Sequence, residues 1–173
     1  MIRAKKASAT KAKPGNASYA PDEPAARVLR RFRLVFNAVK THFREVEKKA
    51  GVAGAQLWAL SVIRDRPGLK LTDLARAMDV HQSTASNLVR TLLERGMVVA
   101  EKNGSDRRTV QLHVLPAGTK VLRRAPGPFS GVLPSALANM DSQTLARLDK
   151  DLGTLVAALG VDRRGAGIPL GQP

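Results

Sequence analysis

The chain has 173 residues and carries 29 Lys and Arg against 14 Asp and Glu, a formal net charge of +15. Such an excess speaks about partners rather than fold, and it favours a polyanion, either nucleic acid or an acidic membrane surface. Cysteine is absent, which excludes disulfides, thiolate metal sites and cysteine-based oxidant sensing. No stretch approaches the roughly 18 apolar residues of a membrane span.

Length and an apolar content of 43% fit one domain with arms. Aromatic residues make up only 3%, so the core is expected to be mainly Leu, Val and Ala. The N-terminus is basic with no apolar run behind it, so no secretory signal is expected. A cysteine-free chain suits a reducing cytoplasm, which is the expected location.

Residues 1–24 place Lys5, Lys6, Lys11 and Lys13 among Ala, Ser, Gly and Pro and read as a disordered basic arm. It either follows phosphates, adding salt-dependent affinity, or only aids solubility. Residues 25–50 form a long helix on the recurrence of Val28, Phe32, Val35, Val39, Phe43 and Val46, widened by Phe36. A small winged domain does not obviously cover that stripe, so part of it is expected to meet a second subunit. A second helix over 54–65 places Leu57, Leu60, Val62 and Ile63 inside and ends at Pro67-Gly68. Trp58, the one tryptophan, is expected in the core, with a place on a ligand cavity as the alternative.

From Leu71 to Val114 the pattern sharpens. A short helix carries Leu71, Leu74, Ala75 and Met78 on one side, with Thr72 as its expected cap. A break follows at Asp79-Val80-His81, with Val80 as plug. A second helix over 82–95 turns Ala85, Leu88, Val89 and Leu92 inward. This is a helix-turn-helix. Gln82, Ser83, Thr84, Ser86, Asn87, Arg90 and Thr91 face outward, and short polar groups near the helix start let the backbone approach bases. Ser86 is better placed for phosphate, and Arg90 for guanine or phosphate. Gly96 closes this helix. Strands over 97–102 and 109–115 enclose the loop Asn103-Gly104-Ser105-Asp106-Arg107-Arg108, a basic wing. One arginine of Arg107 and Arg108 suits the minor groove, the other phosphate or Asp106.

Pro116 opens a helix to about Arg124, and APGPFSGVLP interrupts the pattern before a short helical turn at 135–139. Asp141 caps a last helix over 142–159, whose stripe Leu145, Leu148, Leu152, Leu155, Val156 and Leu159 reads as a helix seam. The candidate dimer residues are Val28, Phe32, Val35, Leu148, Leu152 and Leu155. The tail from 161 to 173 is expected to be flexible. The fold class is therefore mainly α with a small β wing: a winged helix-turn-helix with N- and C-terminal dimerisation helices and a DNA-binding core over 54–115.

LTDLARAMDVHQSTASNLVRTLLERGMVVAEKNGSDRRTVQLHVLPAG, with its spacing from Gly96 to Asp106-Arg107-Arg108 and on to Pro116-Ala117-Gly118, resembles the MarR family of bacterial transcription regulators across roughly residues 27–160. The resemblance implies a homodimer on a palindromic operator, and commonly a repressor released by a small aromatic or anionic effector. Carried over by position, it gives Ser83, Thr84 and Asn87 to bases, Ser86 and Arg90 to the DNA backbone, and Asp106 and Arg107 to the wing motif. Ala100 and Leu115 stand where the family often has Arg and Thr, and Pro126-Gly127-Pro128 breaks a helix that is commonly longer.

The resulting expectation is a sequence-specific regulator of double-stranded DNA, without membrane association, cofactor or metal. The alternative is a non-specific architectural DNA-binding protein, which the charge would also serve. An enzyme is not expected, because His42, His81 and His113 are scattered and no glycine-rich phosphate loop appears.

Overall fold

A computed structural model describes residues 23–103 and 106–170, with the backbone alone for 103, 106–109, 163 and 164. Seven α-helices and one hairpin follow in order: α1 Pro24–Ala50, α2 Gly54–Asp65, α3 Leu71–Ala77, α4 Gln82–Glu94, β1 Val98–Asn103, β2 Asp106–Val114, α5 Pro116–Arg124, α6 Val132–Ala138 and α7 Ser142–Leu159, then a 3-10 helix at Arg163–Gly167. The expected class, mainly helical with a small antiparallel wing, is what forms. Residues 1–22 of the expected basic arm lie outside the described residues, and Pro24 already belongs to α1.

The chain divides within α1 into a unit ending at Leu34 and a unit starting at Val35. In the first, Ala26 is buried, Phe32 is half-buried, and Val28 is 49% exposed.

The second unit holds the core. Val46, Leu57, Leu60, Ile63, Leu74, Met78, Leu88, Leu92, Val98, Leu112 and Leu122 form one buried cluster drawn from α1 to α5 and both strands. Each such side chain contributes roughly 1.5–3 kcal/mol by leaving water. Val80 packs against this cluster from the turn, as its position between the helices requires. Leu112 is fixed from both sides of β2: it faces Ala100 across the hairpin, and its amide and carbonyl bond to Leu69 and Gly68 at 3.0 Å each. The link between α2 and α3 thus adds a third, one-residue strand that no alternation pattern announces.

Several boundaries differ from the sequence expectation. α3 begins at Leu71 with Lys70 at the cap position, so Thr72 lies inside the first turn and is not the cap. α6 begins at Val132, because Pro134 falls within its first turn, where no amide is needed. Trp58 is only half-buried: it touches the core with one side and a cavity with the other. Asp141 does cap α7, accepting the Thr144 N–H at 2.8 Å. Hydrogen bonds from the Thr144 side chain and backbone hold its carboxyl below the ordinary value. α7 buries no residue fully; Leu148 is half-buried, and Leu152 and Leu155 are each 38% exposed.

α5 packs closely against its surroundings at Gly118. A Cβ there would lie 2.5 Å from the Met97 carbonyl oxygen and 2.9 Å from Val114 Cγ1. Alanine is the better helix former by about 1 kcal/mol, yet Gly118→Ala is expected to lower Tm, because backbone cannot move aside as a side-chain tip can. A thermal melt gives the sign; a stabilised variant would show that α5 shifts freely.

Candidate nucleic-acid interface

The apolar spacing of α4 decides which of its faces meets water. Ala85, Leu88, Val89 and Leu92 are buried, and α4 packs on α2, α3 and β1. The opposite face leaves Gln82, Ser83, Ser86, Asn87 and Arg90 exposed. Thr84 is half-buried, so it offers less than the sequence expectation gave it. Thr91 turns back on its own helix, donating its hydroxyl to the Asn87 carbonyl at 3.2 Å. Arg90 Nη2 donates to Asn87 Oδ1 at 3.2 Å, so two candidate reading groups hold each other in place.

The turn before α4 is tight. Asp79 takes the left-handed conformation at φ +51°, which aspartate tolerates better than most residues. The Val80 amide then reaches back to the Ala75 carbonyl at 3.0 Å. His81 stands at the N-cap in extended conformation. The first turn of α4 carries no acidic residue, so the partial positive charge of the helix start is left for an outside anion. At the other end, the Gly96 and Met97 amides bond to Leu93 and Leu92 in a Schellman stop, with Gly96 at φ +62°. Arg95 Nη2 donates to the Gly51 carbonyl at 2.8 Å and is used in bracing the fold.

The wing follows at once. Its register runs from Val98↔Val114 to Lys102↔Val110 and then breaks, so that Asn103 pairs with Asp106. Arg107, Arg108 and Thr109 therefore bulge between those partners. Asp106, Arg107 and Arg108 belong by backbone to β2, not to a loop as the sequence suggested. Their side chains lie outside the described residues. At the base of the wing, His113 Nε2 lies 4.0 Å from Glu101 Oε2, an exposed pair of little energetic weight.

Sequence reasoning missed Arg76. It projects from α3 with its side chain 82% exposed, paired with Asp73 at 3.5 Å, and borders a recess shared with Thr72, His81 and Gln82. Its position in the last turn of a short amphipathic helix was the available signal. A small cavity of about 50 Å³, partly open to solvent, lies between α1, α2 and the segment that enters α6. Val39, Phe43, Trp58, Val132 and Leu133 line it with Pro169 and Leu170, and no charged side chain does. Among the described residues no group of three metal-ligating side chains is assembled.

A sequence profile described as MarR family matches residues 50–109, which span α2, the helix-turn-helix and most of the wing. A protein of Thauera aromatica, described as a transcriptional regulatory protein for the hcr operon, is 33% identical over 132 residues, 76% of this chain and 74% of its own length. The chain belongs to the MarR family. DNA binding in the service of transcription regulation is the coarse function that this membership carries. The fold is also shared with solved proteins of low identity. A MepR-like protein complexed with pseudoligands has a TM-score of 0.54 at 16% identity, with 79% of this chain and 96% of that one covered. The MepR–DNA complex of S. aureus has a TM-score of 0.52 at 16% identity, with 80% and 99% covered.

Arg90 lies two turns into α4, beyond the short residues of the helix start, a position for which the sequence left guanine or phosphate open. Arg90→Ala is expected to weaken specific and random DNA alike and to reduce the salt slope by about 1. Loss of selectivity at one base position, with an unchanged slope, would instead make it a base reader.

Proposed function

We propose that the protein is a homodimeric repressor that reads a palindromic operator and responds to a small effector. The observation that carries the reading is the two-sidedness of α4, whose apolar face is used by the core while its polar face meets no other element among the described residues. Gln82, Ser83, Thr84 and Asn87 meet base edges in the major groove, where Gln and Asn suit adenine. Ser86 and Arg90 hold the DNA backbone. Asp106 orders the wing, and Arg107 and Arg108 reach the minor groove and phosphate. Two copies would set their α4 helices about 34–36 Å apart, one helical turn, which makes the operator an imperfect palindrome. The S. aureus relative of this fold was solved on DNA, which supports the same use of the fold here.

The second copy is argued from surface left over. Val28 is 49% and Val35 40% exposed on α1, and Leu152, Leu155 and Leu159 are 38%, 38% and 63% exposed on α7. Apolar rows of that kind on two terminal helices are covered in solution by another chain. The effector reading rests on the small cavity beside Trp58, whose apolar lining favours an uncharged body over a strongly anionic one and whose walls must part to admit it. Such a ligand acts only through unequal affinity for the DNA-bound and free forms.

In a gel shift at physiological salt, the protein is expected to retain the DNA upstream of its own gene against excess shuffled competitor. Arg107→Ala should weaken that complex more than Lys13→Ala does. Equal retention of specific and shuffled DNA would transfer the function to non-specific architectural binding, and equal small effects of the two variants would remove the wing contact. Sedimentation tests the dimer: the wild type is expected at twice the chain mass, and Leu148→Asp with Leu152→Asp at the monomer mass. A wild type that stays monomeric at micromolar concentration would refute it.

A further inference from the structure

Beyond α7 the chain does not simply leave the fold. Gly160 ends the helix in the left-handed conformation, and the 3-10 helix Arg163–Gly167 brings Gly167 against the turn of the helix-turn-helix. The Gly167 carbonyl accepts the His81 N–H at 3.4 Å. The approach is close enough that a Cβ on Gly167 would lie 2.5 Å from His81 Cδ2, 2.7 Å from Nε2 and 3.0 Å from Cγ. Three residues later, Leu170 lines the cavity beside Trp58 and Phe43, with Pro169 next to it. One short segment therefore touches both the start of α4 and the wall of the effector cavity.

We propose that residues 163–170 form a latch that opposes DNA binding. Seated, it crowds the side of His81 at the N-terminus of α4, where phosphate is expected to approach the free helix amides. Its anchor is shallow, since Leu170 keeps 56% and Ile168 55% of their surface exposed. A contact of that size opens readily, as local openings of weakly packed segments do. The cavity then acquires a regulatory direction. A molecule bound there adds contacts to Pro169 and Leu170, favours the seated latch, and lowers affinity for DNA by linkage. The inference rests on the DNA-binding reading of α4 and deepens it by naming what couples the cavity to the helix.

The test uses the full chain and two substitutions that leave its charge unchanged, Gly167→Leu, which blocks the approach to His81, and Leu170→Gln, which weakens the anchor. Both are expected to tighten binding to the upstream DNA by about fivefold or more. Both should also shift the His81 imidazole resonance, one of three histidine signals, in the absence of DNA. Equal or weaker DNA binding by both variants would overturn the latch while leaving the regulator reading intact. A His81 resonance unmoved in both would overturn it as well. Failure of wild type and variants alike to bind any DNA would instead strike the function on which the latch depends.

Discussion

The structure depends on the burial of one face of α4. Ala85, Leu88, Val89 and Leu92 fill the space between α2, α3 and β1, and at roughly 1.5–3 kcal/mol for each large side chain this fixes the roll of the helix about its axis. Once the roll is fixed, the outward direction of Ser83, Asn87 and Arg90 is fixed too. The neighbouring elements serve the same constraint. α3 is a brace of seven residues, Val80 fills the angle, the Schellman stop at Gly96 sends the chain directly into β1, and Arg95 ties the helix end to Gly51. A polar face presented this rigidly needs little ordering when it meets a partner.

Much of this was legible because helical periodicity is a local property. The spacing of apolar residues in 54–65, 71–78 and 82–94 names the helices, and short polar residues opposite the buried ones name the candidate face. What escaped was set at longer range or by backbone alone. Asp106, Arg107 and Arg108 have the composition of a loop, yet backbone pairing resumes at Asp106 across a bulge. Thr72 has a good capping side chain, but the chain enters α3 one residue before it, after Leu69 is pinned to Leu112. Trp58 was given to the core with a ligand cavity as the alternative; it packs against the core and also meets a cavity, which exists only because residues 130–134 and 169–170 come to lie there. Nothing in the run Gly165-Ala166-Gly167-Ile168-Pro169-Leu170 marks a partner for His81; only the absence of a side chain at Gly167 permits the approach.

The charge and the apolar content divide the labour between different parts of the chain. The core that holds the helix-turn-helix is almost free of buried polar groups, with His42 and Ser61 the buried exceptions among the described residues. Apolar surface that this core cannot use is left on α1 and α7. Positive charge sits on exposed positions such as Arg76 and Arg90, where screening by salt makes it a device for attracting a polyanion rather than for holding the fold together. Stability and attraction thus draw on separate residues.

Trp58 gives the cavity a further property. It is the sole indole of the chain, half-buried, with Leu170 and Phe43 on the same wall. Indole emission follows the polarity of its surroundings, so light excited beyond the absorption of Tyr19, the lone tyrosine, comes from this one wall. The chain is in that sense its own optical probe: any guest that enters, and any departure of Leu170 that lets water in, writes its signal into a single fluorophore with no second tryptophan to dilute it.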